Sequence, residues 1–299
     1  MIEPTQLITR IRSSLADAGL KARILVRDLD SGRQAGIDIH DSMPMASLAK
    51  IPVALSVCAK ITAGELNPVA ELVVSPGKYT LPGPTGISRF RHPARIALVD
   101  ALSLSVSMSD NSSTDALLRE IGVDAVNRML SELKIEGMIL RHFMDAQMNT
   151  LQEKLEPAEA PFAYELASRG ASNGSHRMWQ LDYSLGNMTS AAAMGDLLQE
   201  IWRPQKVGSD TACKIRELLG ANAFRHRLAP DLETDESHWS SKTGTLLHMR
   251  HEAGVVDHPD GQSIAVVVLS ESTVPARVQP AAEAALGAAA RAMHDWLRN

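Results

Sequence analysis

Residues 263–270 read Ser-Ile-Ala-Val-Val-Val-Leu-Ser. A continuous apolar run of this length predicts a strand covered on both faces. Just upstream, Ser240 to Leu247 and His251 to Asp257 also read as strands. Downstream, a closing helix is expected from about Pro280 to Leu297, with Leu286, Ala289, Met293 and Trp296 on one face. The opposite end of the chain has the same character. Residues 22–29, Ala-Arg-Ile-Leu-Val-Arg-Asp-Leu, read as a strand, Asp30-Ser31-Gly32 as a turn, and Gln34 to Ile39 as a returning strand. Before them Leu7, Ile8, Ile11 and Leu15 recur at helical spacing, which predicts an amphipathic helix capped by Thr5 and ended near Gly19.

Between these ends the pattern is helical. Apolar periodicity marks 47–62, 94–107, 113–134, 189–202 and 209–219. Residues 63–93 are rich in Pro and Gly and read as loop with short helical pieces. Residues 150–187 are polar, hold Pro157, Pro161, Gly170 and Gly174, and read as a long excursion. Strands at both ends with helices between them predict an α+β fold: one sheet built from both termini, flanked by terminal helices, with a helical domain inserted. The expected division is 1–45 with 203–299 as the sheet domain and 46–202 as the inserted all-α domain.

Bulk properties exclude several function classes. The formal charge of −5, without a basic run interleaved with aromatics, gives no footprint for nucleic acid. No apolar stretch approaches the roughly 20 residues of a membrane span. The first 20 residues lack the apolar core of a secretory signal, so the expected location is cytoplasmic as the chain stands, and periplasmic or secreted if a signal has been removed. Of the two cysteines, Cys58 lies in an apolar helical stretch and reads as a buried free thiol, and no disulfide with Cys213 is expected. The oligomeric state is not legible.

Three short motifs carry chemistry. The first is Ser47-Leu48-Ala49-Lys50. At a helix start, residues three apart share a face, so Lys50 is expected beside the Ser47 hydroxyl. A serine hydroxyl needs a base to become a nucleophile, and a lysine serves only if burial or a like charge depresses its pKa. The second is Ser109-Asp110-Asn111, between an apolar helix and the cap-rich Ser112-Ser113-Thr114. There Ser109 can pass a proton to a leaving nitrogen, and Asn111 can hold a substrate amide. The third is Lys242-Thr243-Gly244-Thr245 on the first late strand. Lys242 and Thr243 can grip a carboxylate, Gly244 allows a substrate backbone to approach, and the Thr245 backbone N–H with that of Ser47 can form an oxyanion hole. Each motif alone is common: a solvated lysine, a plain cap turn or an exposed strand lysine accounts for it.

The three in this order, in these local contexts, are not common. The chain resembles the class A β-lactamase and penicillin-binding-protein family over nearly its whole length. The opening strand with Asp30-Ser31-Gly32, the segment Arg225-His226-Arg227-Leu228 and the final strand pair with its closing helix fit the same resemblance. It implies the β-lactamase/transpeptidase-like fold, an antiparallel sheet with an inserted helical domain and the active site in the cleft between them. It also implies acyl transfer through a Ser47 acyl-enzyme, with a β-lactam or similar carboxylate-bearing acyl donor as substrate and no cofactor or metal.

The family's deacylating segment, Glu-x-x-x-Asn, has its counterpart in Asp145-Ala146-Gln147-Met148-Asn149. The four-residue separation is kept, but the acid is one methylene shorter, and a shift of about 1 Å in a catalytic group can cost on the order of 100-fold. Glu153 and Glu156 are the fallback acids. His248, His251 and Glu252 suggest a metal at first sight. On a strand, however, residues three apart point to opposite faces, so metal ligation there is not expected. Arg250 and His251 are placed to offer a second positive group to a substrate carboxylate. Three readings follow: hydrolysis of a β-lactam, action on another acyl donor as a D,D-peptidase, amidase or esterase, or covalent β-lactam binding with poor deacylation.

Overall fold

A computed structural model describes residues 3–77, 85–146, 158–159, 162–168, 176, 178–276 and 278–299. In chain order the elements are α1 (Pro4–Asp17), β1 (Leu20–Asp28), β2 (Gln34–Ile37), β3 (Met43–Pro44) and α2 (Lys50–Thr62). Then come β4 (Glu71–Val74), β5 (Ala94–Ala97), α3 (Leu98–Ser107), α4 (Asn111–Ile121), α5 (Val123–Glu132) and α6 (Ala163–Ser168). The chain closes with β6 (Met188–Thr189), α7 (Ala191–Trp202), α8 (Ser209–Gly220), α9 (Ala229–Leu232), β7 (His238–Leu246), β8 (Met249–Asp257), β9 (Ser263–Ser272) and α10 (Pro280–Arg298). A 3-10 turn over Ala46–Ala49 leads into α2.

The sheet runs β2-β1-β9-β8-β7 and is antiparallel throughout. Its central pairing joins the two ends of the chain: Leu20 lies opposite Ser272 and Asp28 opposite Ile264. Successive side chains of a strand alternate faces. On β9, Ile264, Val266 and Val268 pack with α1 and α10, while Ala265, Val267 and Leu269 pack with the helices on the other side. Both faces are covered, which is why the run is apolar at every position rather than at every second one.

The second core holds α2 at its centre. Ile51, Val53, Ala54, Leu55 and Val57 are all essentially solvent-free, and α3, α4, α5 and α8 pack around them. At about 25 cal/mol per Å² of apolar surface, each of the larger of these side chains contributes roughly 1.5–3 kcal/mol of burial. Pro52 sits in the first turn of α2, where its missing N–H costs no hydrogen bond.

Several boundaries differ from the expected ones. Pro4 opens α1 with Glu3 at the cap position, so Thr5 is already helical. Residues 94–97 form β5, paired with β4, and the helix starts only at Leu98. The expected helix over 113–134 is two helices, broken at Gly122, whose φ of 74° is accessible to glycine at little cost. His248 lies in the turn between β7 and β8, not on a strand. In the segment 150–187 the described residues include α6 and a short 3-10 turn at Trp179–Leu181. Asn149, Glu153 and Glu156 lie outside the described residues. Cys58 is buried and Cys213 exposed, and both are free thiols. Among the described residues, no helix is long and apolar enough to cross a membrane.

Candidate active site

Ser47 lies within the 3-10 turn before α2, one residue after Ala46, which has φ of +48°. A positive φ in a residue with a Cβ is strained, and such strain concentrates where a side chain must be aimed. Lys50, the first residue of α2, is wholly buried. Its Nζ donates to Ser47 Oγ at 3.0 Å, to Ser109 Oγ at 3.2 Å, to the Ser109 carbonyl at 3.0 Å and to Asn111 Oδ1 at 2.5 Å. Sequence spacing predicts the first contact. The other three come from the link between α3 and α4, where Ser109 has φ of +57°. Burial pushes the Lys50 ammonium down to about 7, against the opposing pull of Asp110 and Asp115.

Asp110 has a structural task. It is fully buried, caps α4 through Ser112 N, and accepts from Ile87 N and Ser88 N at 3.1 Å each and from Ser113 Oγ at 2.6 Å. It therefore ties the 86–89 turn to the start of α4, directly after Ser109.

Strand β7 closes the opposite side. It packs against the 3-10 turn that holds Ser47. Lys242 is buried and donates to the Thr243 carbonyl at 2.9 Å, and burial together with nearby Lys50 holds its pKa well below the usual lysine range. Thr243 is buried and Thr245 exposed. A Cβ at Gly244 would meet Leu48 Cγ and Met45 O at 3.3 Å, so the missing side chain lets β7 lie against the turn that holds Ser47. Beneath the strand, the buried carboxylate of Glu252 accepts from Trp239 Nε1 at 2.9 Å, Ser241 Oγ at 2.7 Å and Leu228 N at 3.0 Å. Three donors on one carboxylate satisfy a charge that burial would otherwise penalise.

The adjoining positive groups are also redistributed. His251 is buried between the Pro44 carbonyl and Ser270 N, each at 3.0 Å, and burial pushes it down to about 3. It is a neutral strut at physiological pH and cannot supply the second positive charge expected of it. Arg250 is buried too, donating to the Leu247 and Met249 carbonyls. Arg227 reaches the Thr245 hydroxyl at 3.3 Å and the Glu283 carboxylate at 3.0 Å. Both arginines, with Thr245, Gln279 and Glu283, line a cavity of about 510 Å³ beside β7. The sequence reading noted Arg227 only as part of a family-like segment.

Asp145 is half-buried, and its backbone is held firmly. Asp115 Oδ1 accepts from Met144 N at 2.6 Å and Oδ2 from Asp145 N at 2.8 Å. Burial raises the Asp115 carboxyl to about 7, although these two N–H groups favour its charged form. Asn187 holds the same segment from the other side. Its side chain accepts from Arg141 N and His142 N, and its backbone carbonyl accepts from Met45 N at 2.8 Å. Neither Asp115 nor Asn187 stands out in the sequence. Asp115 could have been found as the residue four on from Asn111, on the same face of α4.

The sequence profile of the beta-lactamase enzyme family matches residues 6–297. The chain is 44% identical over 310 aligned positions to the Beta-lactamase regulatory protein BlaB of Streptomyces cacaoi, spanning all of this chain and 99% of that protein. It is 26% identical to beta-lactamase VEB-1 of Pseudomonas aeruginosa over 83% of this chain and 77% of that one. Among solved structures, PBP-A superposes with a TM-score of 0.76 at 16% identity, over 98% of this chain and 96% of that one. A beta-lactamase from Chitinophaga pinensis DSM 2588 superposes with a TM-score of 0.75 at 21% identity, over 98% and 99%. The two superpositions speak to the fold, which is β-lactamase/transpeptidase-like.

Proposed function

The chain belongs to the beta-lactamase enzyme family, and on that premise we propose that it is a serine hydrolase that opens a β-lactam or related amide through an acyl-enzyme on Ser47. The observation behind this reading is the buried Lys50 Nζ at 3.0 Å from Ser47 Oγ and 3.2 Å from Ser109 Oγ. Neutral Lys50, or Asp145 through a water, takes the Ser47 hydroxyl proton, and Oγ attacks the carbonyl carbon. The Ser47 and Thr245 backbone N–H groups stabilise the oxyanion. The C–N bond then breaks, and Ser109 passes a proton to the leaving nitrogen. Lys242 and Thr243 take the substrate carboxylate, and Asn111 its amide. Water, activated by Asp145 and, as the resemblance implies, by Asn149, releases the acyl group.

A second reading, a covalent β-lactam binder that deacylates poorly, is favoured by one observation. The acid at 145 is an aspartate, one methylene shorter than the family's glutamate, and Asp115 accepts from its backbone N–H. The 44% identical relative bears the name of a regulatory protein, which agrees with that reading. Nitrocefin turnover and intact-mass spectrometry on wild type, Ser47→Ala, Asp145→Asn and Asp145→Glu separate the two. Steady turnover lost in Ser47→Ala, with adduct accumulating in Asp145→Asn, establishes the hydrolase. Adduct on wild type without turnover, relieved on the order of tenfold or more in Asp145→Glu, establishes the binder. No turnover and no adduct removes both and directs the search to other acyl donors.

A further inference from the structure

Helix α4 places Asp115 one turn after Asn111, buried against the segment that carries Asp145. Its two oxygens are used separately. Oδ1 accepts from Met144 N at 2.6 Å, and Oδ2 accepts from Asp145 N at 2.8 Å. We propose that the ionised carboxylate of Asp115 is the positioning group for Asp145, holding the backbone of that acid while charged and releasing it on taking up a proton. The proposal rests on the role given above to Asp145 in freeing the acyl group.

The argument starts from donors and acceptors. A carboxylate only accepts, whereas a carboxylic acid turns one oxygen into a hydroxyl that donates. Each Asp115 oxygen has one N–H on it, so a proton on either weakens a bond to residue 144 or 145. Hydrogen bonds to an ionised acceptor are also roughly twice as strong as those to a neutral one, so both bonds weaken together.

The same segment holds a contrast. Asn187 accepts from Arg141 N at 2.6 Å and His142 N at 2.9 Å with its single amide oxygen, and its Nδ2 donates to the His142 carbonyl at 3.0 Å. An amide gains no proton in the physiological range, so the grip at 141–142 is independent of pH. The grip at 144–145, two residues further on, is not. The segment is pinned unconditionally where it enters the site and conditionally at its acid.

The charged groups that face Asp115 are Asp145 across the contact, Arg119 one turn along α4 and Lys50 on α2. Burial disfavours the Asp115 charge most, the Met144 and Asp145 N–H groups favour it, the Asp145 carboxylate opposes it and the exposed Arg119 assists it. The balance leaves the carboxyl at about 7. Below that pH Asp115 is neutral and its grip is weak, and above it the grip is complete. Activation of water by Asp145 should therefore improve as pH rises through about 7.

The test is a pH series of amide ¹H–¹⁵N correlation spectra on the full chain, labelled with ¹⁵N and ²H, from pH 5.5 to 8.5. The Met144 and Asp145 amide protons are expected to move downfield together as pH rises, with one midpoint near 7, while the Arg141 amide lacks that step. Asp115→Asn should abolish the step, and Asp145→Asn should keep it and lower its midpoint, because a like charge has gone. Decay of preformed acyl-enzyme, freed of excess β-lactam and followed by intact mass, should quicken by about fivefold or more between pH 6 and 8 in wild type and stay level in Asp115→Asn. Wild-type amides without a common step, a step that survives Asp115→Asn, or acyl-enzyme decay that ignores the step each overturn the proposal. Where melting curves show that Asp115→Asn misfolds, Asp145→Asn decides, and an unmoved midpoint overturns it. The spectra need no substrate, so a failure of the acyl-enzyme reading and a failure of this one appear in different experiments.

Discussion

At the scale of single residues, the site turns on one buried amine. Among the described residues, Lys50 has hydrogen-bond acceptors around it but no carboxylate in direct contact, and its burial brings the amine to about 7. Only the neutral amine can accept a proton from Ser47. The second-order rate of Ser47 acylation should therefore rise with pH through about 7 and level off above it, and Lys50→Arg should abolish the rise along with most of the rate. Stopped-flow acylation with a chromogenic β-lactam between pH 5.5 and 9 measures this, and a flat profile would exclude Lys50 as the base. Sequence spacing is enough to pair Ser47 with Lys50, because both sit at the start of one helix. It is not enough to show Lys50 reaching Ser109 and Asn111, since those contacts depend on how α4 packs beside α2. The expected role of His251 fails for the same kind of reason: whether a histidine carries charge depends on burial, and burial is tertiary.

At the scale of elements, the glycine of the third motif is explained by packing between a strand and a turn. Gly244 brings β7 against the turn that holds Ser47, with Met45 O and Leu48 Cγ already within 3.3 Å of where a Cβ would stand. Gly244→Ala must shift β7 by a few tenths of an ångström and should cost about 1–3 kcal/mol. It should also slow acylation at least tenfold, because it moves the proposed oxyanion donors relative to Ser47. Thermal melts and acylation rates on the same preparation check both effects. The strands and helices with long apolar patterns, such as β9, α2 and α10, were legible from periodicity. The pair β4 and β5 was not: each has four residues, and β5, Ala-Arg-Ile-Ala, runs straight into α3, so its apolar residues read as the first turn of that helix. The break at Gly122 was equally hidden, because the apolar rhythm of α4 and α5 continues across it while the backbone turns.

At the scale of the whole molecule, the arrangement of strands at both ends and helices between was readable, since each end has its own period and the middle another. The geometry around Asp145 was not, because it rests on Asp115 and Asn187, polar residues whose importance appears only when separate segments meet. The pairing of β1 with β9 also sets an order of events during synthesis. At 5–20 residues per second, the ribosome finishes β9 on the order of ten seconds or more after β1 emerges. Through that interval β1 lacks its central neighbour, and for most of it β7, which supports the Ser47 turn, does not yet exist. Ribosome-bound chains stalled after Asp257 should therefore be cut readily by protease within β1, and chains stalled well beyond α10 should resist. Protection in the shorter chain would mean that β1 finds cover elsewhere. A nascent chain of this topology is exposed to holding chaperones for most of its translation, and the turn that holds Ser47 gains its full support only after the last strands have left the exit tunnel.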